Sequence, residues 1–291
     1  MQTNLSKLYK TLIWGEEISL AVLDTTALVN EAITRHALSA TAAAALGRTL
    51  TASAYLCSWL KNDGSLSVTL NGGGAGGKIF VSGDGDLNMR GYVQNPKVSL
   101  PPRADGKLDV GGFVGKSGTL SIVRDDNTGI PFTGTSPLVS GEIAEDFSYY
   151  FLTSEQRPTA IALGVKIAPD GHCLGAGGVF LQPMPFASEE SISRAETEIR
   201  RYGAVSTQIE TRGAESILRA LGADKWETRE VFYRCHCARE KAERLVIAMG
   251  KSEAESLLRE MGKISVHCDY CNTDYTFDGE EVAELFRDET A

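Results

Sequence analysis

The chain has 291 residues, 42% of them hydrophobic and only 9 prolines, a composition that excludes a disordered protein and has room for two domains. Its net charge of −9, from 29 basic and 38 acidic residues, weighs against attraction to a phosphate backbone. No window reaches the roughly 18 consecutive apolar residues of a spanning helix, and the amino terminus MQTNLSKLYKTLIWGEEISL has no long apolar h-region, so a soluble, unexported, cytoplasmic chain is expected.

From about Leu5 to Val29 the apolar runs LYKTLIW and ISLAVL, joined by Gly15-Glu16-Glu17, predict two strands and a turn. The stretch from about Thr34 to Lys61 is rich in alanine and leucine, lacks proline and is apolar on most sides, which predicts one long helix deep in a domain. Cys57 falls on that helix's core face and reads as packing. From Ser65 to about Gly178 the segments LSVTL, KIFVSG, RGYVQ, GTLSIVRD and AIALGVKI, separated by glycine, Asn-Gly, Asp-Gly and Asn-Pro turns, predict short strands. A mixed sheet covered by helices follows, an α+β core domain over residues 1–183. Within it Ser140 is the expected cap of a short helix, with Glu142, Glu145 and Asp146 near its positive end.

After GGVFLQ, the run PMPFASEE marks a boundary. Residues 184–230 read as an amphipathic helical linker: Ser193 and Glu196 have capping-box spacing, and Ile192, Ala195, Ile199 and Tyr202 make one apolar stripe. A second helix, about Ala214 to Leu221, places Ile217, Leu218 and Leu221 on one face. Neither helix buries its stripe alone, so each must lean on a neighbour.

Residues 231–291 read as a small C-terminal module. A helix from Ala238 to Met249 precedes a second one, boxed by Ser252 and Glu255 and ending near Gly262. Ile264 to His267 and Tyr275 to Phe277 suit a hairpin whose turn holds Cys268 and Cys271, and Asp278 with Glu281 caps a last helix. This region has 8 basic and 13 acidic residues, a net −5, so the basic patch of a nucleic-acid module is missing.

Several motifs fail on inspection. Gly72 to Lys78, GGGAGGK, has the spacing of a phosphate loop, but Ile79 stands where a Mg²⁺-binding hydroxyl belongs and a strand follows. Gly115-Lys116-Ser117 completes no such loop, because Val110 occupies the first glycine position. Asp84, Asp86 and Asn88 resemble the start of a calcium loop, yet Met89 and Asn95 replace its glycine and its closing glutamate. The histidines are His36, His172, His236 and His267, and His172-Cys173 sits in a glycine-rich strand context, so no catalytic site is expected and the chain reads as a non-enzyme.

Four of the six cysteines form two close pairs, Cys235-His236-Cys237 and Cys268-Asp269-Tyr270-Cys271. Two short-range pairs joined by a chain that folds back suit a tetrahedral four-thiolate Zn²⁺ site, one ion per chain. Residues two apart in an extended segment point to the same side, so Cys235 and Cys237 can face one metal while His236 faces away. Two disulfides, an iron–sulfur site or redox sensing would use the same thiols. A module this small has a marginal core, led by Leu245, Val246, Ile247, Leu257, Leu258, Phe277 and Phe286, whereas structural zinc contributes about 10–16 kcal/mol of apparent binding free energy. Thiolates are also the oxidisable form of cysteine, which couples fold to redox state.

The spacing Cys-x-Cys then Cys-x-x-Cys, preceded by GYVQNPKV, GKLDV, GTLSIVRD and SGEIAEDFSYYFLTSEQ, resembles the redox-regulated heat-shock chaperones called 33 kDa chaperonins. The resemblance covers essentially the whole chain. It implies a holdase that binds unfolding client proteins without ATP, inactive while Cys235, Cys237, Cys268 and Cys271 hold zinc. It also implies activation by disulfides, Cys235 with Cys237 and Cys268 with Cys271, with a homodimer as the active form and the linker loosened. Bonding Cys235 to Cys237 demands local refolding, since residues two apart in extended chain lie near or beyond the roughly 4.4–6.8 Å Cα range of a disulfide. Two other classes remain open on the residues alone: a zinc-stapled nucleic-acid or ribosome-associated module, and an oxidoreductase with a catalytic Cys-x-x-Cys.

Overall fold

A computed structural model of the protein describes residues 5–61, 63–127 and 129–287. The chain divides into two compact units, Met1–Arg234 and Cys235–Ala291.

The first unit grows from a hairpin of β1 (Ser6–Ile13) and β2 (Ile18–Asp24), whose turn holds Trp14, Gly15 and Glu16 at positive φ. Two helices follow where one was expected, α1 (Thr26–His36) and α2 (Ala40–Cys57). Ala37 adopts the left-handed conformation at φ 46 and closes α1, and the Ser39 hydroxyl accepts from the Ala42 amide to open α2. Almost the whole of α2 is buried, as its alanine-rich sequence requires. Gly47 is what lets it lie so close: a Cβ there would come within 2.8 Å of Val29 and 2.9 Å of Val165.

The expected strands are present as β3 (Ser65–Asn71), β4 (Ile79–Asp84), β5 (Asn88–Val93), then, after helix α3 (Val110–Val114), β6 (Thr119–Asp125). Next come β7 (Phe132–Pro137), helix α4 (Ala144–Thr153), β8 (Ala160–Ile167) and β9 (Cys173–Pro183). Gly72 and Gly74 pack backbone to backbone on Val114 and Gly115, and Gly73 between them adopts φ +74, which explains these glycines without a phosphate. Ser140 is not the cap of α4. The buried Asp146 carboxylate takes that role, accepting from the amides of Val139, Ser140, Gly141 and Ile143 at 2.7, 3.0, 3.3 and 2.9 Å.

Helix α5 (Glu189–Ile199), a 3₁₀ turn at Arg200–Tyr202, α6 (Val205–Arg212) and α7 (Ala214–Ala220) occupy the stretch expected as a linker and fall within the first unit. Ser188 caps α5, in place of the expected Ser193, because its hydroxyl meets the Ser191 amide. The stripe residues Ala195, Tyr202, Ile217, Leu218 and Leu221, with Val205 and Ile209, are buried against Tyr9, Ile18, Leu20, Val22, Val179 and Leu181 of the sheet. The helices therefore cover one face of β1, β2 and β9, while α1 and α2 contribute to the larger core that includes Ala21, Leu23 and Phe180.

One more strand, β10 (Glu227–Tyr233), completes a ten-stranded sheet in the order β7-β6-β3-β4-β5-β10-β1-β2-β9-β8. The expected division at 230/231 falls inside this strand. It pairs antiparallel with β1 along five residues and parallel with β5 only at Phe232 and Tyr233. All other pairings in that sheet are antiparallel, so the fold is mixed α+β.

The second unit consists of α8 (Arg239–Met249), α9 (Lys251–Met261), the hairpin β11 (Ile264–Cys268) and β12 (Thr273–Phe277), and α10 (Gly279–Leu285). Its core is small: Ala242, Val246, Ala254, Ile264, Phe277, Val282 and Phe286. Leu245, expected in that core, is exposed. The expected box at Ser252 is absent because α9 already starts after Gly250, whereas Asp278 and Glu281 form a full capping box on α10. Among the described residues no helix is long and apolar enough to cross a membrane.

Candidate metal centre

The four paired cysteines come together. One ligand atom from each of Cys235, Cys237, Cys268 and Cys271 lies within 4.8 Å of all the others, a group able to hold a metal ion. Cys235 and Cys237 occupy the irregular stretch between β10 and α8. Cys268 ends β11, Cys271 lies in the turn, and the Cys271 amide donates to the Cys268 carbonyl at 3.3 Å. Asn272, at φ 54, closes that turn in the left-handed region where asparagine is well tolerated.

One sulfur spacing matches a tetrahedral centre and another is shorter than it. Metal–sulfur bonds of about 2.3 Å at tetrahedral angles separate the sulfurs by about 3.8 Å. Cys235 Sγ is 3.7 Å from Cys268 Sγ, and Cys237 Sγ is 3.1 Å from Cys271 Sγ. Both close contacts join one pair to the other, so the site ties the two ends of the unit together.

Electrostatics point the same way. Burial pushes the Cys235 thiol well above its ordinary range and the Cys271 thiol up to about 11. Burial also acts on Cys237, but hydrogen bonds from the Tyr275 hydroxyl and the neighbouring thiols bring it down to about 7. Packing four negative sulfurs this closely would require a cation to neutralise them.

Tyr275 was not singled out by the sequence. Its hydroxyl lies 3.3 Å from Cys237 Sγ and donates to it, which pushes the phenol up to about 12. The period-2 alternation of β12 holds the signal, since Tyr275 shares a face with buried Phe277 and with Thr273, whose hydroxyl donates to the Cys271 carbonyl at 3.4 Å. His267 turns its Nδ1 to Asp274 across the hairpin at 2.8 Å. Cys57 and Cys173 are buried in the first unit, and burial raises both thiols, Cys173 to about 12. Neither has the depressed thiol of a nucleophile.

A large α+β unit followed by a small unit gathered on four thiols defines a two-part protein whose second part carries a cluster able to hold a metal ion. Residues 6–278 match the family model described as Hsp33 protein, and the chain belongs to that family. It is 41% identical over 284 residues to a 33 kDa chaperonin of Bacillus cereus strain G9842, covering 96% of this chain and 97% of the relative. A 33 kDa chaperonin of Bacillus anthracis is equally similar, 41% identical over 283 residues with the same coverage. The crystal structure of a 33 kDa chaperonin from Thermotoga maritima superposes with a TM-score of 0.89 at 35% identity, covering 98% of this chain and 99% of the other. These relatives are named as chaperonins and carry no enzyme name, consistent with a heat-shock chaperone.

Proposed function

We propose that the protein is a redox-regulated, ATP-independent holdase of the cytoplasm that binds unfolding client proteins under oxidative stress, with no catalytic, nucleic-acid or membrane role. One Zn²⁺ per chain, held by Cys235, Cys237, Cys268 and Cys271, would supply the coordination that keeps the second unit folded and the protein inactive. The observation that carries this reading is four sulfurs within 4.8 Å in a unit with seven buried apolar side chains. Packing that small is marginal, so fold and thiolate state stand or fall together.

In this reading the chain works as a core (1–183), a linker (184–230) and a redox switch (231–291). Oxidation bonds Cys235 to Cys237 and Cys268 to Cys271, and four thiolates become two disulfides that no longer ligate. All four sulfurs lie within 4.8 Å of one another, within pairs as well as between them, so each within-pair bond requires its two thiols to close to the roughly 2.05 Å of a disulfide. The linker's apolar residues, Ile192, Ile199, Tyr202, Ile217, Leu218 and Leu221, then become client-binding surface, as does the sheet face beneath them, and the active form is a homodimer. Exposed apolar area binds unfolded chains without a specific sequence, which suits a holdase.

The test is metal and thiol counting on the whole protein. Reduced protein should contain one zinc, and peroxide should release it as the two within-pair disulfides appear in peptide maps. Zinc retained after full disulfide formation, or reduced protein that holds none, would overturn the assignment.

A further inference from the structure

Tyr275 joins two parts of the second unit that the sequence separates. Its ring packs partly against the core containing Phe277, and its hydroxyl reaches Cys237 Sγ, 38 residues back along the chain. The hairpin fixes that reach: Tyr275 stands opposite Val266 in a five-pair ladder, so its side chain has a defined origin. Cys237 has no such ladder, because it lies in irregular chain between β10 and α8 and is only partly buried. A donated hydrogen bond withdraws electron density from a sulfur, stabilises its charge and weakens it as a nucleophile.

We propose that Tyr275 is the positioning residue that restrains the Cys237 sulfur, so that its hydroxyl sets how readily a hydroperoxide opens the four-thiol centre. The inference rests on the redox-switch reading above. In the step concerned, the Cys237 thiolate attacks one peroxide oxygen; the S–O bond forms, the O–O bond breaks, and the departing hydroxide takes a proton to become water. Sulfur loses two electrons and the peroxide gains them. A neighbouring thiolate then attacks the sulfenic sulfur and closes an S–S bond, while the oxygen leaves as hydroxide and is protonated. Tyr275 acts on the first of these events, by holding the attacking lone pair.

The experiment compares the full-length reduced protein with Tyr275→Phe, which keeps the ring and removes the donor. Initial rates of oxidation at each cysteine are read by alkylation and peptide mass spectrometry at fixed hydrogen peroxide, and zinc affinity by competition with a chelator. The expected result is several-fold faster oxidation at Cys237 and a zinc affinity about ten-fold weaker, the size of effect usual for a lost partner of a metal ligand. Equal Cys237 rates in the two proteins would overturn the inference. Should Tyr275→Phe unfold the unit, as hydrogen exchange in β11 and β12 would report, 3-fluorotyrosine at position 275 decides. A stronger donor must slow Cys237 oxidation, and an unchanged or faster rate rejects the role. Wild-type protein that keeps its zinc in peroxide contradicts the switch itself, while the Cys237 rate ratio still judges Tyr275.

Discussion

Trp14 donates its indole N–H to the carbonyl of Leu221 at 3.0 Å, tying the β1–β2 turn to the end of α7 across 207 residues of sequence. The Arg194 guanidinium from α5 lies over the same ring, 4.1 Å from its centroid. One side chain thus fastens both the first and the last helix of the linker to the sheet. Trp14→Phe removes the donor and leaves a carbonyl without its partner, which destabilises the linker's docking by about 1 kcal/mol. Hydrogen exchange over residues 205–221 should quicken in reduced Trp14→Phe, while amides of α2 keep their protection.

The linker's start has a second fastening that responds to pH. Glu17 Oε2 accepts from the Ser188 hydroxyl at 2.6 Å and from the Ser188 amide at 3.3 Å, and these bonds hold the carboxyl below its ordinary value of 4.5. A depressed carboxyl stabilises fully above its unfolded value, and the contribution fades as pH falls through the lower folded one. Amides at the start of α5 should therefore lose protection on acidification below the ordinary carboxylate range. Glu17→Gln should show weaker protection at neutral pH and little further change on acidification.

Asp146 is fully buried and accepts four backbone amides, and one of them belongs to Ile143, held at φ 71. Positive φ is strained for a β-branched residue, so the carboxylate keeps this loop in a shape it would otherwise abandon. Asp146→Ala strands those donors and should destabilise the first unit by about 3–5 kcal/mol, seen as a lower thermal midpoint. An unchanged midpoint would show that the loop relaxes freely.

Removing a single sulfur should have a local result. In Cys268→Ser three thiolates remain, and a core of seven apolar residues does not compensate for the lost coordination. The variant should lack zinc and lose exchange protection throughout Arg239–Leu285, while the ten-stranded sheet keeps its circular dichroism.

Much of this was legible in the sequence where local pattern and tertiary context agree. The cysteine spacing located a cluster that the fold does assemble, and alternation in β3, β4, β5, β6 and β8 located those strands. The linker's apolar stripes also lie where the sheet can cover them. What escaped notice depended on partners far away in the chain. Strand β10 reads Glu-Thr-Arg-Glu before its apolar end because those residues, although paired with β1, are mostly exposed and need no apolar side chains. The edge strand β7, FTGTSP, is largely exposed and carries little hydrophobic signal. The break between α1 and α2 turns on one left-handed alanine, a residue without a turn signature. Leu245 looked like core, yet α8 directs Ala242 and Val246 inward instead. Tyr275 was hidden among hairpin residues until the fold brought its hydroxyl to Cys237.

The central claim is that the four-thiol centre restrains activity. It is tested most directly by following light scattering from a chemically denatured client diluted into buffer with the full-length protein, either reduced and zinc-loaded or oxidised by peroxide with its released zinc measured. The account predicts that the oxidised, zinc-free protein suppresses aggregation at near-stoichiometric ratio without ATP and that the reduced protein does not. Equal suppression by both forms would contradict it.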